Sequence, residues 1–140
     1  VVVLCAVLLG VTACGGTSVT VPDDPRTALD SSICAVDISF APDASKKQIA
    51  AFSERVGAIP QVSRLELLSR EQVIEVVEGE LGRIETSPED RASFLAKVRR
   101  EAGAVLVATP DTDEDVPAIH DSLSLLPGEV TSVWHRDSCE

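Results

Sequence analysis

Apolar and polar residues alternate along Val36-Asp37-Ile38-Ser39-Phe40, the period of a half-buried strand, and the run passes into Ala41-Pro42-Asp43. A second apolar run, Ala104-Val105-Leu106-Val107-Ala108, passes into Thr109-Pro110-Asp111. After each run comes a stripe stepping by three, four and three: Ile49, Phe52, Val56 and Ile59 in the first half, Val116, Ile119, Leu123 and Leu126 in the second. Such steps place four residues on one helix face. Each stripe closes on a proline, Pro60 or Pro127, which ends a helix by removing a donor and crowding the preceding turn. A short strand pattern follows each: Val62-Ser63-Arg64-Leu65-Glu66-Leu67, and Val130-Thr131-Ser132-Val133-Trp134.

Two tandem strand–helix–strand units predict an α+β fold, a ferredoxin-like split βαβ sandwich with a four-stranded antiparallel sheet and two helices on one face. In that topology the last strand lies beside the first, followed by the third and the second, and the first and last run antiparallel.

Residues 69–103, between the units, are too many for a hairpin and predict an inserted two-helix lobe. Ser69 with Gln72 three residues on has the capping-box pattern. Val73, Val77 and Leu81 would stack on one helix face, although the β-branched Val73, Ile74, Val76 and Val77 leave a strand open. The second helix is marked by Ser87 as cap, Pro88 in the first turn, acidic Glu89 and Asp90 at its positive end and Arg99-Arg100 in its last turn, with Gly103 as stop. Its apolar stripe is Phe94 or Leu95, then Val98 and Ala102.

The chain opens differently. Val1 to Val11 is an uncharged apolar run, and the first charge is Asp23. The run is shorter than the ~20 residues of a membrane-spanning helix and has the length of a secretory signal's apolar segment, with a basic leader expected upstream of Val1. It ends in Val11-Thr12-Ala13-Cys14, an apolar residue and two small ones before cysteine, the pattern of a bacterial lipobox in which Cys14 is lipidated. An ordinary secretory signal that contains a cysteine is the alternative. Both readings predict an exported protein: residues 1–13 as signal peptide, 14–33 as lipidated cysteine and polar tether, and 34–140 as the folded domain, anchored at the outer face of the cytoplasmic membrane.

Export makes the cysteines informative. Cys34 precedes the first strand and Cys139 follows the last, so antiparallel neighbours bring them together and a disulfide between them is expected. Twelve basic against 23 acidic residues, net −11, with the arginines scattered, argue against nucleic acid as a partner.

Strand, Pro-Asp turn, helix closed by proline, a Val-rich strand and then Leu68-Ser69-Arg70-Glu71-Gln72-Val73 together resemble the extracellular domain of the permease-like cell-division protein FtsX. The closing Leu126-Pro127-Gly128-Glu129-Val130-Thr131-Ser132-Val133 is similar to that family's last element, and the resemblance spans roughly residues 35–135. It implies a non-enzymatic role at the cell envelope, binding peptidoglycan hydrolases or their adaptors through an apolar surface of the helical lobe during division or wall remodelling. By position, the residues for that role are Phe94, Leu95 and Val98, with Leu81 behind them; the same side chains would otherwise close the lobe on the sheet. Two departures stand out. The family has membrane-spanning helices on both sides of the domain and works with a cytoplasmic ATPase, neither of which this chain shows, and Glu101-Ala102-Gly103 replaces the Leu-Pro that often precedes its third strand. The alternatives are a small-ligand-binding lipoprotein using a groove between lobe and sheet, or a fragment of a full FtsX-type permease.

Signatures of catalysis and of cofactors are missing from the sequence. His120 and His135 are the only histidines, and neither sits in a His-Glu-x-x-His zinc pattern. No Gly-x-Ser-x-Gly elbow occurs, and Gly57, Gly79 and Gly82 make no phosphate loop. Asp111-x-Asp113-x-Asp115 resembles the start of a calcium loop, but Val116 stands where that loop needs glycine and Ser122 where it needs glutamate. An acid-rich helix start explains the triplet more simply. The expectation is therefore no catalytic site, no cofactor and no metal.

Overall fold

A computed structural model describes residues 16–123 and 128–136. The elements are β1 (Val19–Thr20), α1 (Pro25–Ala28), β2 (Val36–Phe40), α2 (Lys46–Gly57), β3 (Val62–Leu68), α3 (Arg70–Leu81), α4 (Pro88–Glu101), β4 (Val105–Pro110), α5 (Val116–Ser122) and β5 (Val130–His135). A 3-10 turn at Asp113–Asp115 leads into α5.

The fold is α+β, with a sheet ordered β1-β3-β4-β2-β5. Its four longer strands are antiparallel to their neighbours in the expected order, with Ile38 opposite both Leu106 on β4 and Val133 on β5. The four-stranded, wholly antiparallel expectation is corrected by β1, which adds a fifth strand parallel to β3 through Val19–Leu65 and Thr20–Glu66.

One sheet face carries the main core. Val36, Ile38, Phe40, Leu65, Leu106 and Ala108 meet Phe52 and Val56 of α2 and Val116, Ile119 and Leu123 of α5 and its end. Phe40 and Phe52 pack edge to face with centroids 5.8 Å apart, the arrangement that the ring quadrupoles favour. Most of both helix stripes is thus buried as the spacing requires; Ile49 and Ile59 are half-buried, and Leu126 and Pro127 lie outside the described residues.

The opposite face is covered as well. Ala35, Leu68 and Val107, on the other side of the pleat, meet Ala28 of α1, with Leu29 and Val73 packed around them. This corrects the expectation that residues up to 33 form a tether. Backbone pairing and a buried arginine hold the segment, so its polar composition does not leave it without partners. The Thr17 N–H donates to the Gly57 carbonyl at 2.9 Å, and its hydroxyl donates to the Val62 carbonyl at 2.7 Å. Asp24 caps α1, and Ala28 is buried.

Both lobe helices form. α3 begins in a complete capping box between Ser69 and Gln72, and Ser87 caps α4 by accepting the Asp90 N–H. The reciprocal cap helps settle the β-branched run as helix. The Arg70 side chain joins the two ends of the lobe by donating to the carbonyls of Ala102 at 3.0 Å and of Arg99. At the return to the sheet, a Cβ on Gly103 would lie 2.1 Å from the Phe40 carbonyl oxygen. Only glycine lets the backbones approach that closely.

Candidate functional site

The lobe buries little of itself. α4 has no buried residue, and α3 buries only Val76. The physical cause is composition: within Pro88–Glu101, eight of the fourteen side chains are charged or serine, too few apolar ones remaining to seal a second core. Of the four residues singled out for partner binding, Leu81, Leu95 and Val98 are half-buried, whereas Phe94 is 48% exposed. Ile84, in the turn between the helices, is 55% exposed and was not singled out. The Arg91 guanidinium donates to the Ile84 carbonyl at 3.3 Å, tying that turn to α4 one helical turn before Phe94. The Arg99 and Glu78 side chains also pair across the helices, at 2.5 Å. The lobe therefore exposes two apolar side chains, one midway along α4 and one in the turn before it, on helices tied by these polar contacts.

A concavity of about 1200 Å³ lies elsewhere. It runs between α2 and residues 16–19 and reaches the lobe only at its root, Ser69–Glu71. Val19, Ile49 and Leu67 give apolar walls, while Lys46 and Arg70 bring positive charge and Glu54 and Glu71 negative charge. The groove expected between lobe and sheet is thus displaced to the side of α2.

The free edge of the sheet holds the other notable groups. Trp134 on β5 is 52% exposed, beside Leu29 and Val105 in a shallow depression on the α1 side. Its neighbour Arg136 is 1% exposed and turned inward onto Asp37. His135 and His120 come together from β5 and α5 with ring centroids 5.4 Å apart and planes at 86°. No sequence spacing announces that meeting, since it depends on α5 crossing over β5.

Cys34 is buried and disulfide-bonded. Cys14 and Cys139 lie outside the described residues, as do Cys5 and the apolar opening run. Among the described residues no helix is long and apolar enough to cross a membrane. The Asp30 carboxyl is held below its usual range, first by the Ser32 backbone N–H and then by the Ser32 hydroxyl, which both donate to it.

In comparisons with protein-family models and with curated proteins, nothing matches this chain.

Proposed function

We propose that this chain is a non-enzymatic interaction module of the FtsX extracellular type, built on a ferredoxin-like sheet and held at the outer face of the cytoplasmic membrane through Cys14. Its lobe binds a peptidoglycan hydrolase or the adaptor of one. The observation that carries this reading is the exposure of two apolar side chains of the lobe, Phe94 midway along α4 and Ile84 in the turn before it, on a helix pair that buries only Val76. A side chain the size of Phe, left half in water on a rigid helix, is what a partner pocket takes up as an anchor. The strand order β5-β2-β4-β3, with the lobe inserted between β3 and β4, supports the resemblance at the level of topology.

Binding of the chain to purified wall hydrolases and adaptors tests it. The parent should bind one of them, and Phe94→Asp should abolish that binding with the circular dichroism spectrum unchanged. Equal binding by parent and Phe94→Asp, or no binding to any of them, overturns the reading.

A second reading rests on the concavity beside α2. Its apolar walls, with Lys46 and Arg70 set against Glu54 and Glu71, suit a small amphipathic ligand, in keeping with a ligand-binding lipoprotein. Saturable uptake of a fatty acid, lost in Ala50→Trp and retained in Phe94→Asp, would favour it over the first.

A further inference from the structure

We propose that the β1 edge of the sheet, residues 16–22, is a membrane-contact surface: it lies on the lipid bilayer, with Val19 and Val21 against the boundary between headgroups and acyl chains. The inference rests on the anchoring of Cys14 proposed above and adds which side of the fold meets the membrane. Covalent geometry sets the first constraint. Two peptide links join Cys14 to Gly16, and two residues of chain reach about 7 Å at most. From Thr17 onward the backbone is fixed to the fold. The Thr17 N–H donates to the Gly57 carbonyl at 2.9 Å and its hydroxyl to the Val62 carbonyl at 2.7 Å, and Val19 and Thr20 pair with Leu65 and Glu66. The Thr17 carbonyl oxygen lies so near α2 that a Cβ on Gly57 would sit 2.4 Å from it. A lipid on Cys14 therefore holds β1, the outermost strand on its side of the sheet, at the level of the headgroups.

The edge so held is suited to lipid. Val19, at the rim of the concavity beside α2, is 38% exposed, and Val21 at 69% is the most exposed of the large apolar side chains among the described residues. The others, Ile84, Phe94 and Trp134, lie on the lobe and on the far edge of the sheet. Gly16-Thr17-Ser18-Val19-Thr20-Val21-Pro22 carries no charge in a chain of net −11. Edge strands are commonly protected by charged side chains. This one has none, and lipid covers it instead. Anionic headgroups repel the acidic body and accept the uncharged strip, which turns β1 towards them. The order β1-β3-β4-β2-β5 then sets β5 away from the membrane, four strand spacings of about 4.8 Å, or roughly 19 Å, from β1.

Tryptophan quenching tests the proposal. The full lipid-bearing chain is taken from bacterial membranes into phosphatidylethanolamine–phosphatidylglycerol vesicles with brominated acyl chains, and the mass of its N-terminal peptide establishes the lipid on Cys14. Bromine quenches only an indole that comes close to it. Trp134 on β5, the chain's only tryptophan, should keep nearly all of its emission. Val21→Trp in a Trp134→Phe background should lose most of its emission relative to unbrominated vesicles and shift to the blue. Because Trp134 is itself half exposed, it also controls for the affinity of any exposed indole for lipid. A lipidated chain in which the new indole is quenched no more than Trp134 overturns this proposal and leaves the anchor standing. Absence of lipid from Cys14 overturns both.

Discussion

Arg136 grips Asp37 with two parallel hydrogen bonds, Nε to Oδ2 at 2.9 Å and Nη2 to Oδ1 at 2.8 Å. The other three N–H groups donate to the carbonyls of Ala28, Asp30 and Ile33, so all five donors of a side chain only 1% exposed are used. The fork ties the end of α1 to the sheet and matches the carboxylate plane in a way an ammonium group cannot. Arg136→Ala should cost about 3–5 kcal/mol, because it leaves Asp37 and three carbonyls without their partner. Arg136→Lys should recover only a minor part. Urea unfolding of both variants checks this, and a loss under about 1 kcal/mol for Arg136→Ala would contradict the role assigned to the fork.

Two glycines mark where backbones touch. A Cβ at Gly57 would lie 2.4 Å from the Thr17 carbonyl oxygen, so Gly57→Ala should push residues 16–20 off α2 and β3. At Gly103 the obstruction is the Phe40 carbonyl inside the sheet. Gly103→Ala should therefore be the more damaging, with losses of about 1–3 kcal/mol or more, since the sheet backbone has to move. Amide exchange separates the cases: faster exchange confined to residues 16–33 for Gly57→Ala, and through β2 and β4 for Gly103→Ala.

The four long strands and their order were legible because period-two and helical patterns recur in the same sequence of turns, and Val36–Phe40 forms as read. The lobe was legible from Ser69, Gln72, Ser87 and Pro88, whose caps are local chemistry. What escaped depends on contacts distant in sequence. β1 and α1 exist because Arg136 and the edge of β3 supply partners to a polar segment that lacks them locally. The second covered face left one trace, the unbroken Val105-Leu106-Val107-Ala108: a strand buried on both sides loses its alternation. For the candidate site, Phe94 was readable as a surface apolar residue, whereas Ile84 was hidden in a turn and the histidine pair in the packing of α5 on β5.

Phe94 and Phe52 offer a contrast between surface and core. Phe52 is 2% exposed against Phe40, and Arg55 lies over its ring at 5.3 Å. Phe52→Ala should lose about 3–5 kcal/mol through lost transfer energy and the cavity left behind. Phe94→Ala should change stability by no more than about 0.5 kcal/mol. Thermal melts of the two variants decide it. A large loss at Phe94 would place that ring in the fold rather than at a partner's disposal.

Asp30 should give a small acid response of defined sign. Its pKa is lowered in the folded chain, so the stabilisation it lends is present above the carboxyl's ordinary value of 3.8 and disappears as pH falls through the lower folded value. Asp30→Asn and Ser32→Ala should both flatten that part of the stability–pH curve. Carboxyl NMR titration supplies the direct check: Asp30 titrating at or above 3.8 would remove the Ser32 contacts as its cause.

The sulfur partner of Cys34 follows from strand pairing. β2 and β5 are antiparallel with Val36 opposite His135, and the Arg136 N–H donates to the Ala35 carbonyl at 3.2 Å, carrying the pairing past the strand ends. Arg136 thus lies beside Ala35, the neighbour of Cys34, and Cys139 is three residues further along the sequence. Cys34–Cys139 is therefore the expected bridge; closing a loop of roughly a hundred residues, it should contribute about 2–5 kcal/mol. Cys139→Ser should lose that stabilisation and expose one new titratable thiol. Peptide mapping of the unreduced chain decides between partners, and the result reaches beyond the bridge itself. A Cys34–Cys14 peptide would contradict the pairing and the membrane anchor together, because a cysteine whose sulfur carries a lipid thioether has none left for a disulfide.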